Sequence, residues 1–225
     1  TALENPRTNL ATEVISSDGV TLGKFYYEDN RTPVSFNELP KHLVDALIAT
    51  EDIRYFDHAG IDARGTLRAL FKFGQGGGAS TISQQLAKQL FHGEGSRNTF
   101  GRITQKIKEW VIATRLEKQY TKEEIIAQYF NIYDFGNNAD GIRSAARIYF
   151  GKEPSALNLK ESAMLVGMFK NSSLYNPRPE RNPVGTKNRR NVVLSQMEKY
   201  GFITQTVKDS LQQTPLDLNY TPESH

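Results

Sequence analysis

"LIATEDIRYFDHAG", residues 47–60, places two adjacent carboxylates, an arginine, two aromatic rings and a histidine directly after an apolar run. How that run ends decides the reading of the chain. Leu39, Leu43, Ala46, Leu47 and Thr50 recur at spacings of three and four, which predicts an amphipathic helix opened by Ser35 or Asn37 as N-cap. Glu51 falls four residues after Leu47 and eight after Leu43, on the line of the buried stripe, whereas Asp52 is turned about 100° away. A carboxylate on an apolar face is either one half of a buried ion pair or a group adapted for proton transfer, and the ion pair is the commoner outcome. Arg54 and His58 are the partners the sequence offers. By itself His58 reads as a satisfied, half-buried side chain.

Upstream, "TEVISSDGVTLGKFYYE" alternates apolar and polar residues around Asp18-Gly19, which predicts a small β-hairpin arm over residues 1–34. Residues 35–225 read as helical throughout. Thr81 and Gln84, Thr121 and Glu124, and Asn158 and Glu161 have capping-box spacing, and Gly151 and Gly201 close later helices. The class is therefore mainly α with a small N-terminal hairpin. At 225 residues, 38% apolar and 24% charged, the chain is ordinary globular material, and its net charge of +3 is only a mild bias toward anionic partners. The absence of cysteine excludes disulfides and thiolate metal sites, and four scattered histidines form no metal box. The chain begins at Thr1 with no run apolar enough to span a bilayer, so it is expected to be a mature or excised segment.

Two further stretches carry polar rows. In "GGGASTISQQLAKQLF", Ile82, Leu86 and Leu90 form one apolar line while Thr81, Gln85 and Lys88 share a neighbouring face. The helix follows the glycine run 74–79, so its N-terminus could receive a phosphate-like anion. The run lacks the Gly-Lys-Ser/Thr ending of a nucleotide loop, and alone it reads as a loop feeding a solvated helix. In "GRITQKIKEWVIATRLEKQY", Ile103, Ile107, Trp110, Val111 and Thr114 are expected to make the core stripe, with Arg102, Lys106, Glu109 and Ala113 along its flank. A Lys-Glu pair at i, i+3 is most often a surface salt bridge. Were this flank to face Glu51 and the Thr81, Gln85 and Lys88 row, two carboxylates would stand among cations and amide donors, a setting suited to sugar chemistry with an anionic leaving group.

"EDIRYFDHAG", "GASTISQQLAK", "KIKEWVIATRLE", "KEEIIAQYFN" and "GIRSAARIYFGK" follow one another in the order and at the approximate separations of the five motifs of the peptidoglycan glycosyltransferase domain, which the chain resembles over roughly residues 10–220. That module occurs in class A penicillin-binding proteins and in monofunctional glycosyltransferases. The resemblance implies a two-lobed, lysozyme-like helical domain on the extracytoplasmic, periplasmic face of the cytoplasmic membrane, with an apolar jaw near "LFKFGQGGG" and "QLF". It implies polymerisation of lipid II during cell-wall synthesis, with inversion at the anomeric carbon and release of undecaprenyl diphosphate. Glu51 matches the catalytic base and Glu109 the second carboxylate, which assists the leaving diphosphate directly or through a divalent cation, Mg2+ or Mn2+; no tightly bound cofactor is implied. Lys106, Ser80, Thr81, Gln85 and Lys88 match contacts to the diphosphate and donor sugar, and Asp52, Tyr55 and His58 match positions that support the cleft around the base. Asn131 and the segment 141–151 look architectural. The ends of the chain fit excision from a longer protein with a transmembrane anchor and a transpeptidase domain.

The chain departs from the family pattern at three places. Tyr55 replaces a phenylalanine, Gln105 stands where a cation is usual beside Lys106, and "FGNNADG" replaces a glycine-rich approach. Arg102, one turn before Lys106, is positioned to supply the missing charge. A lysozyme-like hydrolase or lytic transglycosylase is the alternative, but it has no need of a diphosphate-binding set. Neither Ser-x-x-Lys nor Lys-Thr-Gly occurs, which excludes a transpeptidase within these residues. No basic run with interleaved aromatics points to nucleic acid.

Overall fold

The computed structural model describes residues 12–15, 21–25, 32–71, 80–90 and 99–222. Two short strands, β1 (Thr12–Ile15) and β2 (Thr21–Phe25), pair antiparallel, with a register shift between Val14 and Ile15. They form the expected arm, although its turn residues Asp18 and Gly19 lie outside the described residues.

The helices are α1 (Lys41–Glu51), α2 (Ala63–Phe71), α3 (Ile82–Leu90), α4 (Thr99–Gln119), α5 (Lys122–Ile132), α6 (Gly141–Phe150), α7 (Leu159–Met168), α8 (Pro183–Lys199) and α9 (Gln205–Gln213). Their packing divides into two lobes: α1, α7 and α8 pack together with α9 against α8, while α3 packs on α4 and α5. The domain is mainly α, as its periodicity predicts. The first helix starts later than expected. Ser35 caps a short 3-10 turn, where its backbone N–H and hydroxyl donate to Glu38 (2.7 and 2.9 Å), and Pro40 then opens α1 at Lys41. Proline before the first helical residue fixes φ and resets the start, which leaves Leu39 ahead of the helix.

The other capping boxes form as read. The Thr121 and Asn158 side chains accept from the N–H groups of Glu124 and Glu161. Thr81 Oγ1 accepts from Gln84 N at 3.1 Å while Gln84 Oε1 accepts from Thr81 N. Gly151 ends α6 in the left-handed region. Asn131 pairs with both backbone groups of Val34, accepting at 2.9 Å and donating at 2.8 Å, and so ties the entry segment to α5. Arg190 is fully buried on α8, where its guanidinium donates to the carbonyls of Leu211, Thr214 and Pro215 and satisfies the end of α9.

The expected core stripe of α4 is covered only in part, with Trp110 and Thr114 half-buried. Ile103, Ile107 and Val111 are 55%, 54% and 48% exposed, and among the described side chains of this helix the buried ones are Ala113 and Leu116. Periodicity locates an apolar line, but only a neighbouring element can cover it, and α3 packs against a different side.

Candidate active site

Between the lobes lies a cleft of about 840 Å³, within the range of ligand pockets. Glu51 stands at the end of α1, α3 contributes the wall from Ser80 to Gln89, and α4 contributes Arg102, Gln105, Lys106 and Glu109. Tyr129, Tyr133 and Asp134 from the end of α5, and Phe169, Lys170 and Ser172 after α7, complete it.

The Glu51 side chain is 17% exposed, and its expected partners are taken elsewhere. Arg54 pairs with Asp62 and His58 with Asp52. Gln85 Nε2 donates to Glu51 Oε2 at 2.9 Å, and the Arg189 guanidinium approaches Oε1 at 4.0 Å. Arg189 reaches it from α8, and the carbonyl of Gly167 accepts from its Nε. A Cβ on Gly167 would sit 3.1 Å from Arg189 Cγ, a tight contact that would press on the arginine side chain. The α8 sequence carries no motif that distinguishes Arg189 from its basic neighbours, and sequence reasoning missed it.

Across the cleft, Lys106 Nζ donates to Glu109 Oε2 at 2.9 Å and to Ser80 Oγ at 2.8 Å. Glu109 is 12% exposed and its cation 39%, so this pair is more enclosed than the surface pairs of its spacing. Lys88 and Arg102 line the same cleft. Ser80, Gln85, Lys88, Arg102, Lys106, Glu51 and Glu109 are thus brought to one surface.

Asp52, Tyr55, His58 and Thr81 are not on it. Asp52 is 8% exposed, and the chain leaves helical geometry there with φ −158°. Its carboxylate accepts from His58 Nε2 at 3.0 Å and from the N–H of Ile82 at 3.2 Å, which anchors the start of α3 beside Glu51. Tyr55 is fully buried. Its hydroxyl donates to the carbonyl of Lys122, whose ammonium sits 4.2 Å over the ring and also donates to Glu117 and the carbonyl of His58. Burial, followed by the charge of Glu117, pushes the Tyr55 hydroxyl well above the usual phenol range, so it remains a donor. Thr81 is 1% exposed and its hydroxyl donates to the carbonyl of Gly60 at 2.7 Å. It belongs to the packing of α3 rather than to the polar face expected from its spacing.

The aromatic wall also escaped the sequence reading, since Tyr129 and Tyr133 have the i, i+4 spacing of ordinary core. Tyr129 stacks on Phe169 at 4.7 Å and donates to Gln85 Oε1 at 2.7 Å. Among the described residues no group of three His, Cys, Asp or Glu side chains could hold a metal ion. Glu109 has a lysine beside it, the wrong neighbour for a metal cage.

The cleft of this two-lobed helical domain thus sets a held carboxylate, Glu51, against a wall that carries Lys88, Arg102 and Lys106. The family model described as Transglycosylase matches residues 18–198, and the chain belongs to that family of glycosyl-transferring domains. It is 37% identical over 99% of its length to penicillin-binding protein 1A of Pseudomonas aeruginosa and 37% identical over 97% to that of Escherichia coli, and spans 27% and 25% of those proteins. Penicillin-binding protein 1F of Bacillus subtilis is 36% identical, and 29% of it is covered. Among solved structures, penicillin-binding protein 1A of Haemophilus influenzae superposes with a TM-score of 0.53 at 24% identity, over 95% of this chain and 22% of that one, a likeness of fold.

Proposed function

We propose that this chain is a peptidoglycan glycosyltransferase module that polymerises lipid II into glycan strands. The observation that carries the reading is the placing of Glu51 at the edge of a cleft whose α4 wall presents Arg102, Lys106 and Glu109. In the reaction, the acceptor sugar's 4-hydroxyl gives its proton to Glu51 as its oxygen bonds to the anomeric carbon of the growing chain. The bond from that carbon to the undecaprenyl diphosphate breaks, and the electron pair leaves with the diphosphate. Attack opposite the leaving group inverts the configuration. Lys88, Arg102 and Lys106 offset charge developing on the diphosphate, and Glu109 holds Lys106 in place.

Asp52, Tyr55, His58 and Thr81 act as supports of the base and of α3. Among the described residues no helix is long and apolar enough to cross a membrane. With relatives of which it spans about a quarter, the chain is read as one part of a membrane-anchored extracytoplasmic protein that also carries a transpeptidase domain. The hydrolase alternative leaves the cationic wall without a role.

Labelled lipid II in detergent tests the reading. Glycan strands from the wild type and almost none from folded Glu51→Gln are expected. A folded wild type that makes no polymer but cleaves finished peptidoglycan would overturn the assignment in favour of a hydrolase.

A further inference from the structure

Gln85 stands between two side chains whose chemistry dictates how its amide is turned. Its nitrogen lies 2.9 Å from Glu51 Oε2 and its oxygen 2.7 Å from the Tyr129 hydroxyl. A carboxylate only accepts, so the amide nitrogen must face Glu51. The amide oxygen is then turned to Tyr129, which must donate. Only this polarity satisfies all three groups.

Each member of the chain is fixed from outside it. Tyr129 is 1% exposed, and its ring stacks on Phe169 with 14° between planes. Burial, followed by the negative charge of Glu51, holds its hydroxyl well above the usual phenol range, so the donated proton stays on the tyrosine. Gln85 lies one turn into α3, and the first N–H of that helix donates to Asp52, the residue after Glu51. Helix α3 is therefore joined to the end of α1 both at its first residue and at Gln85.

We propose that Tyr129 is a positioning residue for the general base: by fixing the Gln85 amide it fixes the Glu51 carboxylate, occupying Oε2 and leaving Oε1 to receive the acceptor's proton. Arg189 lies 4.0 Å from Oε1, a charge contact too long for a hydrogen bond, so a lone pair of that oxygen remains for the substrate hydroxyl. Without the tyrosine hydroxyl the amide oxygen of Gln85 loses its donor, and the amide, whose nitrogen still faces the carboxylate, is held at one end only and no longer fixes the carboxylate in place. The inference rests on the glycosyltransferase reading of the cleft.

Tyr129→Phe removes one oxygen and keeps the ring and its stack, so the fold is retained and a thermal melt verifies it. Lipid II polymerisation should show kcat lowered about tenfold, the size of one hydrogen bond to the catalytic arrangement, with KM changed less than about twofold. Gln85→Leu should lose at least as much. The double variant Tyr129→Phe/Gln85→Leu should be no slower than Gln85→Leu alone, because the tyrosine acts only through the amide. Additive losses, or a raised KM with unchanged kcat, would overturn the proposal and make Tyr129 a direct substrate contact. An active wild type with additive variants removes this inference alone, whereas a folded wild type without polymerase activity removes the glycosyltransferase reading and this inference with it.

Discussion

The two carboxylates of the cleft are built into opposite surroundings. Glu51 meets a neutral amide at 2.9 Å and a distant guanidinium at 4.0 Å, and the Gln85 that holds it is held in turn by Tyr129 of the aromatic wall. Glu109 meets the ammonium of Lys106 at 2.9 Å, which is shared with Ser80. The difference is one of compensation. Most of the Glu109 charge is answered by its neighbour, which leaves a lysine held in place for a ligand's negative charge. The Glu51 carboxylate is oriented by a neutral amide, with the Arg189 guanidinium at 4.0 Å too far to hydrogen-bond, so a lone pair stays open to accept a proton.

The contrast is most easily broken by parallel amide substitutions. Glu51→Gln should lower lipid II polymerisation about a thousandfold or more, as loss of a general base does, while Glu109→Gln should lower it about a hundredfold. Equal losses with equal KM values would erase the distinction between base and charge holder. A smaller effect sharpens the cationic end. Arg102→Ala should reduce the rate about fivefold to tenfold and Gln105→Ala less than about twofold, if Arg102 supplies the second cation of that wall; the reverse order, measured on the same substrate, would reject it.

Ionisation of the aromatic wall is the smallest effect, silent at neutral pH. Tyr133 is pushed up to about 12, first by burial, with Asp134 adding to the shift, and Tyr129 is raised well above its usual value. A raised value in the folded state means that the protonated form is favoured there. Its contribution to stability is therefore complete below the ordinary phenol value of about 10 and is lost as pH rises from there through about 12. Tyrosinate absorbance and helical circular dichroism should change together on the alkaline side. Ionisation of all tyrosines near their ordinary value with the helices intact would contradict the burial.

What could be read locally was read from local physics. Thr121 with Glu124 and Asn158 with Glu161 close their boxes within one turn, so nothing distant can alter them. Glu51 follows Leu43 and Leu47 on one helix face, and α1 does bury that face. The direction of Asp52 is not legible from helical periodicity, because the helix ends at Glu51 and the backbone of Asp52 is extended. Thr81 was misread for a related reason: an N-cap points its side chain along the helix start rather than out from the face its spacing assigns.

By itself, then, the amino-acid sequence determined the helical class, the capping boxes of α3, α5 and α7, the strand pairing of the arm, the placing of Glu51 on the inward line and, through five ordered motifs, the family. Tertiary structure alone decided which groups meet. It gave Glu51 the partners Gln85 and Arg189, from α3 and α8, in place of the nearby Arg54 and His58. It left Ile103, Ile107 and Val111 uncovered where periodicity expected core, and it brought Tyr129 from ordinary-looking core to the side of the base. The physical reason is that periodicity and capping are properties of a turn or two of chain, while a partner across a cleft is chosen by how whole helices pack, and that depends on every contact along them at once.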